Sequence, residues 1–329
     1  MKICVLLGGA SPERMVSLSS GVAIGKALSE NGHEVLYYDP ATALSQMETF
    51  RNSLSSIEMN NTDFKGMAGL RDDHFTAQVL QLKKENVNIV FNALHGGNGE
   101  NGAIAAMLEL AGIPFTGSAF AASALAMDKY KTKLVAAAVN VQSAECELHD
   151  KPVSRPERIN FPLVVKPNDA GSSVGLSVFH EACDMTAACR EALAFSDTLI
   201  IERYIPGREF NIPVIAGEAF PVLEVDAGGV YDFKAKYLGH STKYLCPAPL
   251  SEDLTRDMQQ RALRVWKALG LRNYARIDFR MTPDEEIFLL EANTLPGMTA
   301  SSLVPKSAKA RGLDFSALLE LIIRDALTH

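Results

Sequence analysis

The sequence predicts an α/β chain that becomes α+β partway along, and three observations carry that prediction. Lys2 to Tyr38 runs strand, glycine turn, helix, glycine stop, strand, which is the βαβ opening of a parallel sheet. From Phe161 onward, apolar strands come in neighbouring pairs, the mark of antiparallel hairpins. Between them, Leu254 to Leu269 carries helical periodicity and stops at Gly270. With 329 residues, 47% hydrophobic and 22% charged, the chain is long enough for two or three domains. The net charge of −7 argues against a nucleic-acid partner, so any basic site must be local. Five cysteines with no CxxC pair fit a reducing compartment. No apolar run approaches membrane-spanning length, and MKICVLLGGA is too short for a signal-peptide core, so a cytoplasmic protein is expected.

In order, Lys2–Leu7 is an apolar strand ended by Gly8-Gly9. Ser17–Glu30 is a helix, Asn31-Gly32 stops it, and His33–Tyr38 is a second strand. Glu13 stands at the turn between strand and helix, where it would repel phosphate and attract an amine. Equally, Ser11 or Glu13 caps the helix. Ser45–Ser56 and Thr76–Lys84 suit helices, with a polar excursion between them. Asn88–Leu94 is a buried strand leading into HGGNGENG, His95 to Gly102. Four glycines in eight residues, flanked by His95 and Glu100 at the carboxyl end of a strand, favour a site over a permissive turn. Ala103–Ala111 continues as a helix, Ile113–Thr116 is a short strand, and Ser118–Ala138 is one helix bearing Lys129 and Lys133. Lysines on such a face are by default solvated.

Phe161–Lys166 enters a glycine- and serine-rich loop, Pro167 to Gly175, and Leu176–Phe179 returns as the hairpin partner. The loop has no GK[ST], yet the backbone N–H groups of such a turn can wrap phosphates, and Lys166 adds charge. Glu181–Ala194 is a helix, Thr198–Tyr204 a strand, and Phe210–Ile215 with Glu218–Val225 a hairpin. A long polar loop over Leu238–Pro249, next to YDFKAKY, is a candidate lid over an anionic ligand.

Arg276–Leu303 concentrates the chemistry. Tyr274–Met281 and Glu286–Ala292 form two strands around a polar turn. Alternation sends Arg276, Asp278 and Arg280 to one face. Paired in register, Asp278, Glu291 and Asn293 converge beside Arg276. Two carboxylates and an amide oxygen suit Mg²⁺ when a phosphate supplies the other ligands. The plainer reading is a sheet edge with solvated charges. Against it, Thr294–Thr299 turns sharply just after the acids, where Gly297 can offer its N–H to a developing oxyanion. Phe315–Ala326 is a last apolar helix.

LLGGASPERMVSLSSG, HGGNGENG, SALAMDKYKTK, KPNDAGSSVG, YDFKAKY and ARIDF…LLEANTLPGMTASSL occur in the order seen in the D-alanine–D-alanine ligases. The chain resembles that family along nearly its whole length, most thinly over 41–86 and 139–160. The resemblance implies the ATP-grasp fold in three domains: 1–117 binding substrate, 118–201, and 202–329 carrying catalysis, with ATP clamped between two antiparallel sheets. It implies that ATP and two D-alanines become ADP, phosphate and the dipeptide, for peptidoglycan synthesis. Two Mg²⁺ ions, or Mn²⁺, would sit on Asp278, Glu291 and Asn293. Lys129, Lys166 and Lys236 would meet the phosphates, with Ser172 and Ser173 in the loop over them. Glu202, Tyr204 and Ile205 would hold adenine, and Glu209 the ribose. Arg276 and the Gly297 amide would stabilise the tetrahedral oxyanion. Glu13 would hold the first D-alanine's ammonium, with His95 near its carboxylate. Ser172 and Tyr237 would link Glu13 to the lid, and Ser302 and Leu303 would position the second D-alanine. A homodimer is also implied.

Ala170, Phe233, Met15 and Asn101 depart from residues common in that family, none of them in the metal or oxyanion set. Lys236-Tyr237 favours an amine acceptor over D-lactate. The alternatives are a sister ligase taking D-serine or D-lactate, and a nucleotide-binding module without catalysis. The intact metal set speaks against the second.

Overall fold

The computed structural model describes residues 1–56, 70–226, 243–299 and 302–329. Three sheets follow one another along the chain. The first joins β1 (Lys2–Leu6), β2 (Glu34–Tyr38) and β3 (Ile89–Asn92) in the order β2-β1-β3, all parallel. Both of its faces are covered, which is why β1 is apolar throughout rather than alternating. Ile3 and Val5 pack with Ile24 and Leu28 of helix α1 (Arg14–Glu30). Cys4 and Leu6 face the opposite core. That core takes Met47 from α2 (Met47–Ser53) and Phe75 from α3 (Phe75–Lys84). A single helical turn, α4 (Gly97–Glu100), forms inside the HGGNGENG loop, and α5 (Ala103–Ala111) follows it. The strand expected at Ile113–Thr116 is only one bridge, Phe115 to Val90.

The helix expected over Ser118–Ala138 is broken. It forms α6 (Phe120–Met127) and α7 (Lys129–Ala138), parted at Asp128, whose ψ of 100° leaves the helical region. Asp128 then caps α7 by accepting from the Lys131 N–H. The start of α7 docks on Asn168, which receives the Lys129 and Tyr130 N–H groups.

The second sheet is antiparallel, in the order β4 (Cys146–His149), β7 (Leu199–Arg203), β5 (Leu163–Pro167), β6 (Ser177–Phe179). β4 was not foreseen. Helix α8 (Thr186–Leu193) backs this sheet through Cys189 and Ala192, and is shorter than the expected Glu181–Ala194.

The third sheet centres on β8 (Arg208–Ile215), which pairs with β9 (Glu218–Ala219) and β10 (Leu223–Asp226). β10 pairs in turn with β11 (Lys243–Leu245), so part of the expected long loop is strand. Under the sheet lies α9 (Glu252–Ala268), burying Met258, Ala262, Val265 and Trp266. β12 (Tyr274–Met281) and β13 (Ile287–Asn293) complete the sheet. Ala275, Ile277, Phe279 and Met281 enter the core, as alternation predicts. Asp278 sits opposite Glu291, and Arg276 opposite Asn293. Beyond Asp278 the register slips, so Phe279 faces Leu289 and Leu290 is an extra residue. This bulge keeps both Leu289 and Ala292 in the core while Leu290 and Glu291 face the other way. The chain ends in α10 (Leu303–Ala310) and α11 (Phe315–Ala326), the latter sharing a core with β1, α1 and Tyr274.

Candidate functional site

A cleft of about 910 Å³, counted to its open mouth, separates the second sheet from the third. Val164, Val178 and Leu290 give it apolar walls. The structure gathers into it Lys129, Lys166, Ser173, Glu202, Tyr204, Ile205 and Glu209, with Asp278 and Glu291 on the opposite wall. Those residues come from four separate stretches of the sequence.

Charge in the cleft is paired and largely buried. Glu202 lies between two ammonium groups: Lys166 Nζ is 2.6 Å from Oε1, and Lys133 Nζ is 2.7 Å from Oε2. Burial alone would raise this carboxyl's pKa, but the two lysines outweigh it and pull it down to about 2. Oε2 is buried, and the Lys133 ammonium 2.7 Å away stands off the ideal hydrogen-bond direction, which leaves a lone pair for a ligand N–H. Lys133 is thus a correction: it is 4% exposed, not solvated. Lys129 is buried as well, its Nζ donating to the Ala170 carbonyl at 2.7 Å and lying 3.4 Å from Glu291 Oε2.

Asp278 accepts two hydrogen bonds from Arg276, at 2.7 and 2.6 Å, and one from Asn211 Nδ2 at 2.8 Å. The oxygen of the Asn211 amide is buried beside it without a partner among the described residues. Asn293 stands opposite Arg276 and spends Oδ1 on the Leu295 N–H. The donors therefore fit a hard cation. Asp278 and Glu291 are cross-strand neighbours facing the cleft, and an unsatisfied amide oxygen lies close by. Mg²⁺ takes one or two carboxylates and leaves its other positions to phosphate and water.

A second pocket gathers at the carboxyl ends of β1 and β3. Glu13 begins α1 but its side chain makes no capping bond; Ser11 Oγ accepts the Glu13 N–H at 3.2 Å. Its carboxylate instead accepts from Ser172 Oγ, in the loop after β5. Gly96 and Gly171 line its approach: a Cβ on either would come within 2.7 Å of Glu13 Oε2. Ser172 and Ser173 both adopt positive φ, 53° and 57°, which bends the loop toward the site. His95 is buried, with Nδ1 2.8 Å from the Leu295 carbonyl and Nε2 3.1 Å from Ser20 Oγ. A carbonyl only accepts, so Nδ1 carries the proton and Nε2 accepts from the serine. Burial lowers the His95 pKa, keeping the ring neutral; the Glu13 carboxylate opposes this. Glu100 accepts from the Gly96 N–H. Its pKa is raised to about 7, first by burial and next by Glu13.

Among the second-substrate residues, Ser302 Oγ accepts from the Thr299 N–H, and a Cβ on Gly297 would meet that oxygen at 3.0 Å. Leu303 starts α10 and packs with Leu223 and Val225. Lys236 and Tyr237 lie outside the described residues, with residues 238–242 of the candidate lid. Lys133 and Asn168 were the omissions. Lys133 sits four residues after Lys129 on the same helix face, but its burial depends on the distant strand that carries Glu202. Asn168 gave no local signal, because its partners are far away in sequence.

Two family models match the chain. "D-ala D-ala ligase N-terminus" covers residues 2–118, and "D-ala D-ala ligase C-terminus" covers 132–324. Among curated relatives, a D-alanine–D-alanine ligase of Pediococcus pentosaceus is 38% identical, over 98% of this chain and 97% of its own. One of Syntrophotalea carbinolica is also 38% identical, over 99% and 96%. Among solved structures, a Bacillus anthracis D-alanine–D-alanine ligase complexed with ATP aligns with a TM-score of 0.75 and 26% identity, over 100% of this chain and 98% of that one. The VanG D-Ala:D-Ser ligase of Enterococcus faecalis aligns at 0.77 and 28%, over 99% of each.

Proposed function

This chain belongs to the D-alanine–D-alanine ligase family, and from that premise we propose how its residues divide the work. It is an ATP-grasp enzyme that joins two D-alanines at the cost of ATP, for peptidoglycan precursors. The observation that carries the assignment of residues is the cleft, where Lys129, Lys166 and Glu202 on one side face Asp278 and Glu291 on the other.

A carboxylate is a poor acyl donor, so the first D-alanine must be phosphorylated before an amine can displace anything from it. Tyr204, Ile205 and Glu202 hold the adenine, Glu209 the ribose, and Lys129, Lys166 and the Ser172–Ser173 turn the phosphates. Asp278 and Glu291, with Asn293 at the strand end, would hold Mg²⁺, whose charge would offset that gathering on the phosphoryl oxygens. Arg276 and the Gly297 N–H support the tetrahedral oxyanion. Glu13 takes the first substrate's ammonium, fixed by Ser172, while neutral His95 lies near its carboxylate. Ser302 and Leu303 flank the second. Binding both amino acids side by side removes much of the entropic barrier to joining them. We assign residues 1–117, 118–201 and 202–329 as the three domains, and a cytoplasmic homodimer as the working form.

The test is phosphate release from ATP and Mg²⁺ across D-alanine, D-serine, D-lactate and L-alanine. D-Alanine should give the highest kcat/KM. Faster turnover with D-serine would move the chain toward a D-Ala:D-Ser ligase such as VanG, and no release with any of them would refute catalysis.

A further inference from the structure

We propose that Lys133 is a positioning residue for the nucleotide: it retains Glu202 and balances its charge, so that Lys166 can leave Glu202 for the phosphates. This rests on the ATP reading above and concerns a side chain that reading does not use. Lys133 lies one helical turn after Lys129 on α7, and Nζ donates to the Ala144 carbonyl at 3.2 Å. Lys166 and Glu202 line the cleft; Lys133 reaches the same carboxylate and is buried. Two ammonium groups on one carboxylate leave an excess of one positive charge at the cleft wall.

That excess has a use. An incoming triphosphate attracts the ammonium that can reach it, which is Lys166. Were Lys166 the sole partner of Glu202, its departure would strand a buried carboxylate, at high cost. The trade would oppose binding. With Lys133 in place, Glu202 stays paired throughout. Lys133 takes one side of Oε2, and a carboxylate oxygen has a second lone pair for an N–H from the ligand. The device is an exchange of partners: the ammonium moves from protein carboxylate to ligand phosphate, and a second ammonium keeps the first site neutral.

Full-length wild type, Lys133→Met, Lys133→Arg, Glu202→Gln and the Lys133→Met/Glu202→Gln double variant test this by steady-state kinetics and by direct ATP titration. Lys133→Met should raise the KM for ATP about tenfold or more, the coupling expected of contacting charged neighbours. The KM for D-alanine should move less than about twofold, because that pocket is built from other residues. Lys133→Arg should restore most of the affinity. The double variant should bind ATP better than Lys133→Met alone, since a neutral amide in place of the carboxylate no longer detains Lys166. A merely structural lysine predicts the reverse, the double variant being as poor or poorer. Unchanged ATP affinity in Lys133→Met, or no recovery in the double variant, overturns the proposal. Should Lys133→Met not fold, Glu202→Gln and the double variant decide: they should agree in ATP affinity, and a large further loss in the double variant overturns it. Wild type that fails to bind ATP would overturn the nucleotide reading as well, a result that needs no variant.

Discussion

The two pockets treat the same side chain in opposite ways. In the nucleotide cleft, Glu202 is buried between two lysines and its pKa falls to about 2. In the amino-acid pocket, Glu100 is buried beside Glu13 and its pKa climbs to about 7. Burial pushes both upward, so the neighbours decide the sign. The first pocket gathers cations and suits a polyanion. The second gathers carboxyl groups and suits an ammonium. The boundary between them is thin, because Lys129 and Glu291 of the cleft also act on Glu100, and Arg276 acts on His95.

The largest blow to this division should come from Arg276→Ala, which removes the charge standing between the pockets. Turnover should drop by about 10²–10³-fold, the usual loss of an oxyanion donor, with the fold intact by circular dichroism. Near wild-type kcat would mean that the oxyanion is stabilised elsewhere. Gly171→Ala is next and should separate the pockets. Its Cβ would crowd Glu13 Oε2, a flexible carboxylate end that can move aside. Displacing one charge-assisted contact should raise the D-alanine KM by about 10–100-fold while ATP affinity holds. Equal losses for both ligands would show that the pockets are not independent. The smallest effect concerns stability. Glu100 has its folded pKa raised from 4.5 to about 7, so between those values the folded state holds more protons than the unfolded one. Stability from this group therefore declines as pH rises through that window, by on the order of 3 kcal/mol. Glu100→Gln should flatten that part of a chemical-denaturation pH profile, and an unaltered slope would assign it to another group.

Much of this was legible in the sequence because it is written locally. Tyr274–Met281 alternates apolar and charged residues, so its limits and faces emerge from period two alone. Clustered glycines after His95 point to a crowded backbone, and each is crowded by a different residue: Gly96 by Glu13, Gly97 by Ser11, Gly99 by Leu94 and Gly102 by Phe120. Asp128 was illegible, since SALAMDKYKTK holds no glycine or proline and the break depends on Asn168, forty residues onward. Likewise Lys133 reads as a surface lysine until the strand carrying Glu202 is folded against it. The bulge escaped because alternation presumes an unbroken ladder.

That slipped register sets which changes of length the last strand tolerates. Leu290 and Glu291 stand side by side on the cleft wall only because one residue lies outside the count. Loss of Leu290 would restore a regular ladder that keeps Leu289 and Ala292 behind the sheet and Glu291 on the cleft, at the expense of one apolar wall. One residue more has no such slack: it would turn every side chain on one side of it to the opposite face.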